Sequence, residues 1–396
     1  MNERYTGSGA PVWKSRSASA VVRAMTRIGR FSVWSGALLL VSQTHGSLRA
    51  QAGDAVSTDA TTYVSKALDI MEGNSIHKKT IDWKFLRQST LSQSSRAKNT
   101  YETYDAIRYA LSQLGDHHSF LQLSPDLAQK ESEAKASLHV VSPPTPGSEP
   151  WPPSPYINRR EPEGHLERVG STAVARIVVP EFDGPGDNET GRAYATKLQT
   201  LVRDLASKKP AGWIVDVRGN LGGNMWPMLA GIGPLLGQGD AGAFLNADGQ
   251  RTPWFYEDGK ACMRNADGTS QVLSRVTGTP FSLPSQPPVA VLMGRGTASS
   301  GEAIAISFRG RGQTRFFGRH THGESTATNG FPLSDGANLV LTVAVELDRT
   351  GKTYEDGLSP DVELPLETAL PPEHAIDPMT RAAIEWIASV NSPTNQ

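Results

Sequence analysis

A single cysteine, Cys262, leaves this 396-residue chain without any intramolecular disulfide, so its stability must come from a packed core. Its setting, Lys260-Ala261-Cys262-Met263, carries no accompanying catalytic signature, and a lone cysteine by default is a small buried hydrophobe. Charge of one sign is also missing. Thirty-nine Lys and Arg face 40 Asp and Glu, for a net charge of -1, and no long basic run occurs, which argues against nucleic acid as the main partner. No His-Glu-x-x-His helix is present, and His320-Thr321-His322 lacks further ligands at characteristic spacing, so a zinc or other metal site is not expected. Apolar runs are short. With 38% hydrophobic and 20% charged residues, the composition is that of an ordinary globular protein.

One short apolar run has a recognisable context. Arg23, Arg27 and Arg30 precede Phe31 to Val41, and Ala50-Gln51-Ala52 supplies a small-x-small cleavage site. Residues 1–52 therefore read as an export signal, with Met25 an alternative start, and the apolar part is too short for a stable membrane anchor. The mature chain is expected to begin near Gly53 in a periplasmic or other extracytoplasmic space, with no membrane attachment after cleavage.

Apolar spacing at three and four predicts helices over Thr62 to Met71 and Lys98 to Leu114, hence a helical subdomain over 53–135. The segment Pro143 to Pro153 reads as extended, placing a Pro-rich linker over 136–168. Strands are predicted at Ser171 to Pro180, around Ile214, at Val289 to Met293 and at Leu339 to Glu346, with helices over Glu189 to Lys208 and Pro227 to Leu236. This α/β core occupies 169–370, followed by a C-terminal helix and tail over 371–396. Phe316, Phe317 and Trp213 read as core residues, and Asn329 to Gly336 as a hairpin.

Two strand-to-helix turns carry the chemistry. After Val289 to Met293 comes Gly294-Arg295-Gly296-Thr297-Ala298-Ser299-Ser300-Gly301-Glu302, which would set the Ser299 hydroxyl at an exposed elbow beside helix N-terminal N–H groups. Plain helix capping by these hydroxyls is the competing reading. The second is Asp216-Val217-Arg218-Gly219-Asn220-Leu221-Gly222-Gly223-Asn224, whose glycines let backbone N–H groups approach a ligand oxygen.

Together the Asp-x-Arg-x-Asn-x-Gly-Gly and Gly-Thr-Ala-Ser-Ser-Gly-Glu runs resemble the serine peptidase family of tail-specific (C-terminal-processing) proteases and the tricorn protease core. The resemblance extends from about Gly170 to Glu363. It also takes in Leu114-Gly115-Asp116-His117-His118-Ser119 and Gly357-Leu358-Ser359-Pro360-Asp361. It implies a crotonase/ClpP-like layered β-β-α core and a peptidase acting on exported or unfolded polypeptides without a cofactor. The linker leaves too little chain for the PDZ domain usual in tail-specific proteases.

Those proteases carry a lysine about 25 residues after the serine, where this chain has Gly323-Glu324-Ser325. The resemblance then favours a tricorn-like histidine. Ser299 is the expected nucleophile and His118 the expected base, with His117 its competitor. Glu355, or else Glu324, would orient the imidazole. The oxyanion hole would combine the Ser300 N–H with that of Gly222 or Gly223. A non-catalytic ligand- or peptide-binding protein on the same scaffold is the alternative, decided by whether His118 can serve Ser299. Acyl-CoA chemistry, found on related folds, is disfavoured by the export signal. Oligomeric state is not legible.

Overall fold

The computed structural model describes residues 60–137, 154–157, 161–365 and 375–392. The export signal and most of the Pro-rich linker lie outside these residues. Among the described residues, no helix is long and apolar enough to cross a membrane.

Three helices open the chain: α1 (Ala60–Asn74), α2 (Trp83–Gln93) and α3 (Tyr104–Ser112). Each presents an apolar face, including Tyr63, Val64, Ala67, Leu68 and Met71 of α1 and Tyr104, Ile107, Ala110 and Leu111 of α3, to one shared cluster. A short strand, β1 (Phe120–Gln122), and α4 (Pro125–Ser137) follow. The chain then forms β2 (Glu163–Val169), β3 (Thr172–Val178), α5 (Glu189–Ala206), β4 (Trp213–Asp216), α6 (Met225–Leu236) and the meander β5 (Gly239–Asn246), β6 (Arg251–Glu257), β7 (Lys260–Arg264) and β8 (Ser270–Arg275). After it come β9 (Val289–Met293), α7 (Ser300–Phe308), β10 (Thr314–Gly318), β11 (Thr326–Pro332), β12 (Asn338–Asp348), β13 (Val362–Glu363) and α8 (Pro378–Val390).

The strands form two sheets. One has the order β13-β10-β9-β4-β3-β2, parallel except for β2. The other runs β1-β12-β5-β6-β7-β8, with β11 also paired to β12, and its pairings are antiparallel. Alternation along β9 sets the layering: Val289, Val291 and Met293 face the main core with α5, α6 and α7, while Ala290 and Leu292 face Met379, Ala383, Ile384 and Ile387 of α8. Across the second sheet, Leu339 and Leu341 of β12 close the cluster of the N-terminal helices.

Three boundaries differ from the sequence expectation. Strand β2 falls within the stretch assigned to the linker, because its pairing with β3 supplies order that local composition does not reveal. The stretch assigned to the N-terminal helical subdomain also contributes a strand, since β1 joins the second sheet through Phe120↔Val340 and Leu121↔Leu339. The predicted helix from Lys98 is a 3₁₀ turn at Tyr101–Thr103 running into α3. Cys262, Trp213, Phe316 and Phe317 are buried, as their settings indicated.

Candidate active site

Strands β4 and β9 are parallel neighbours, with Asp216 opposite Leu292, so the turns that follow them emerge side by side. They are stitched together: Thr297 Oγ1 donates to the Val217 carbonyl (2.8 Å), Ala298 N–H to Asn220 O (3.0 Å) and Ser300 Oγ to Gly223 O (2.6 Å). The Asp-x-Arg-x-Asn run explains itself structurally. Buried Arg218 forms ion pairs with Asp216 (2.8 Å) and with Asp377, the N-cap of α8 (3.0 Å), while Asn220 Nδ2 donates to Val179 O (3.1 Å).

Ser299 sits at φ 50°, ψ -121°, left-handed backbone that a non-glycine residue adopts only under strain. The turn meets α7 by a capping-box arrangement in which the Glu302 carboxylate accepts the Ser299 N–H (3.0 Å). In this capping box the Glu302 N–H faces the Ser299 side chain and bonds the Ser299 carbonyl oxygen (2.8 Å). At Gly222 (φ 115°), a Cβ would stand 2.9 Å from Ser299 Cβ and 3.2 Å from its Oγ, so only glycine lets the two turns approach this closely.

The two glycines are not equivalent. The Gly222 N–H is taken by Asn220 Oδ1 (2.9 Å), which removes it as an oxyanion donor. Gly223 bridges to Phe182 through its neighbours' groups, Phe182 N–H to Gly222 O (3.3 Å) and Asn224 N–H to Phe182 O (2.6 Å), and its own N–H has no partner among the described residues. The Ser300 N–H, at the first position of α7, likewise makes no intrahelical bond.

His118 comes from a loop anchored to β12. Asp116 accepts the His118 N–H (3.1 Å), the Ser119 N–H (2.7 Å) and the Thr342 hydroxyl (2.8 Å). The imidazole Nδ1 bonds Thr326 Oγ1 (2.9 Å), while Nε2 stands 3.9 Å from Glu324 Oε2, an ion-pair separation rather than a hydrogen bond. Burial lowers the His118 pKa below its ordinary value, against the opposing charges of Glu324 and Asp116. His322 also faces Glu324, at 3.6 Å. His117 is exposed.

Buried Glu302, read from sequence only as part of a motif, joins the two halves. One of its oxygens accepts the N–H groups of Ser299 and Glu324 (2.7 Å), and the other those of the Thr321 hydroxyl and Gly323 N–H (3.0 Å). The Ser299 turn and the loop bearing the carboxylate beside His118 therefore meet on one side chain. No hydrogen bond links His118 to Ser299 themselves. Glu355 lies on an exposed turn with no bond to His118; the following Gly-x-x-Pro-Asp run braces the same loop through Leu358 N–H to Thr321 Oγ1 (2.8 Å). Among the described residues, no group of three or more His, Cys, Asp or Glu side chains is placed to hold a metal ion.

Residues 173–364, spanning both turns and the Glu302 loop, match peptidase family S41. The chain carries a peptidase S41 domain. The nisin-resistance protein of Lactococcus lactis is 28% identical over 328 residues, 83% of this chain and 86% of that protein. The carboxy-terminal processing protease CtpA of Bacillus subtilis is 26% identical over 180 residues, 45% of this chain but only 34% of its own length. Among solved structures, a lipoprotein from Streptococcus agalactiae superposes with a TM-score of 0.61 at 21% identity, covering 86% of this chain and all of that one. The photosystem II D1 C-terminal processing protease gives 0.53 at 17% identity, over 85% and 99%. Over residues 173–364, just under half of the chain, this mixed α/β fold carries a serine peptidase domain.

Proposed function

We propose that this S41 peptidase is an exported endopeptidase whose nucleophile is Ser299 and whose base is His118. With Nδ1–H donating to Thr326, the lone pair of Nε2 accepts the Ser299 proton as Oγ bonds to the scissile carbonyl carbon. Glu324, beside Nε2, favours the imidazolium that results, the role first expected of Glu355. The Ser300 and Gly223 N–H groups hold the oxyanion. Collapse breaks the C–N bond as His118 returns the proton to the leaving amine, and water then hydrolyses the acyl-enzyme by the same relay. Catalytic hydrogen bonds commonly tighten only around substrate, so the unmade Ser299–His118 bond is compatible with this sequence of steps.

The observation that carries the reading is Ser299 itself: a strained elbow pressed against Gly222, with two backbone donors beside it that have no partner among the described residues. Substrates are exported or unfolded polypeptides outside the cytosol, as the N-terminal signal pattern suggests.

A fluorophosphonate probe tests it. The mature protein should label at Ser299, Ser299→Ala should not label, and His118→Ala should label and cleave peptides about 10²–10⁴-fold more slowly. Persistent labelling of Ser299→Ala would remove Ser299 as the nucleophile, and a folded wild-type protein that neither labels nor cleaves would favour a binding protein on this scaffold.

A further inference from the structure

Phe120 is one of three large apolar side chains that stand exposed among the described residues, with Phe85 and Leu166. Exposure alone means little, because single exposed hydrophobes are normal. Its placement is different. Leu121 packs with Leu339 and Leu341 in the cluster of the N-terminal helices, so Phe120, opposite Val340, projects from the other face of the sheet. On β11, Thr326, Thr328 and Gly330 alternate onto one face, with Thr328 opposite Thr342 and Gly330 opposite Val340; the register shift beside Ala327 leaves the extra residue, Val343, on β12, so the alternation along β11 carries through to Thr326, opposite Val345. Thr326 is the residue that holds the His118 ring. The base and Phe120 thus share one face of this sheet, only two residues apart in the chain, and β11 leads from Thr326 toward Gly330 away from the Ser299 turn.

From this arrangement we infer that Phe120 forms the wall of a specificity subsite for an apolar substrate side chain one or two residues beyond the scissile bond, on the leaving-amine side. The inference rests on the peptidase reading above. His118 must face the leaving nitrogen to protonate it, and two residues of extended chain span about 7 Å, so the face beyond the base meets the departing half of the substrate. A half-exposed phenyl ring over buried Val340 gives that half an apolar surface and no hydrogen-bond donor or acceptor. Long aliphatic or aromatic side chains fit this chemistry; charged ones do not.

The test is a cleavage profile of a randomised peptide library, read by mass spectrometry, for wild type, Phe120→Ala and Phe120→Asp, with melting curves to establish that each variant folds. Wild type should enrich Leu, Met and Phe one or two positions after the cleaved bond. Phe120→Ala should lower kcat/KM for such peptides about tenfold relative to peptides with Ser there. Phe120→Asp should turn the preference toward Lys and Arg at the same position. Identical profiles in all three proteins, or changes confined to the acyl side, would overturn the subsite while leaving the peptidase standing. A wild type that cleaves nothing and leaves Ser299 unlabelled would overturn the peptidase reading and the subsite with it.

Discussion

His118 is held by a neutral partner on one nitrogen and faced by a carboxylate beyond the other, and these two contacts do different work. Thr326 holds the ring without adding charge, and when its hydroxyl accepts from Nδ1–H it leaves the Nε2 lone pair able to accept a proton. Burial favours the neutral form further, whereas Glu324 pulls toward the charged one. The acid limb of kcat/KM should consequently fall below the ordinary histidine value of 6.5, activity being lost as pH drops through the His118 pKa. Glu324→Gln removes the charge that favours imidazolium, so the limb should move to still lower pH while the plateau drops about tenfold as that stabilisation is lost. Glu355→Gln should change neither. A pH profile in which Glu355→Gln shifts the limb and Glu324→Gln does not would restore Glu355 as the partner of the base.

At the scale of elements, the site is assembled by a carboxylate at the third position of α7 that receives donors from two loops. Both oxygens of Glu302 are needed as acceptors, because Ser299, Thr321, Gly323 and Glu324 all arrive with a hydrogen. Glu302→Gln keeps the shape but turns an amide NH₂ toward two of those donors. Each donor left buried without a partner costs about 1–3 kcal/mol, so the loop should detach from the Ser299 turn. Fluorophosphonate labelling should slow at least about 100-fold, while Glu302→Asp, retaining two acceptors on a shorter arm, should recover part of it. Equal rates for wild type and Glu302→Gln would show that the clamp is dispensable.

The same element explains what could and could not be read from sequence. The two strand-turn-helix segments were legible because the apolar runs at Ile214 and Val289 end in Gly-rich turns, a local pattern with a local cause. Glu302 was visible only as a letter in a motif, since its role depends on residues some twenty positions away reaching it. What distinguishes Gly222 from Gly223 is where the Asn220 side chain points, and what brings Glu324 rather than Glu355 beside His118 is how β11 leaves the loop. The meander β5 to β8 carried no strong period of its own; its order comes from pairing across the sheet, to which composition is blind.

Across the whole molecule, the N-terminal helices and the peptidase core share a sheet and a cluster, and should therefore behave as one body. Asp335, in the turn between β11 and β12, is the polar centre of that joint. It accepts the hydroxyls of Tyr63 (2.8 Å) and Tyr104 (2.7 Å) and the Ala337 N–H (3.0 Å). Burial alone would raise its carboxyl pKa, but the Tyr104, Ala337, Thr100 and Tyr63 donors outweigh burial and hold it below the ordinary value. The joint therefore loses strength on acidification through that lowered pKa, when the carboxylate gains a proton. Asp335→Ala strands two tyrosine hydroxyls, with Tyr104 wholly buried, and should destabilise the protein by about 2–4 kcal/mol. The way the protein then melts is informative. If Leu339 and Leu341 bind the helices to the core as one cooperative unit, far-UV and near-UV circular dichroism should still report a single coincident transition at a lower temperature, and Ser299 labelling should disappear along that same curve. Two separated transitions, with the helical signal lost first and Ser299 still labelling, would mean that the N-terminal helices are a detachable module and that His118 is held by the β12 network alone.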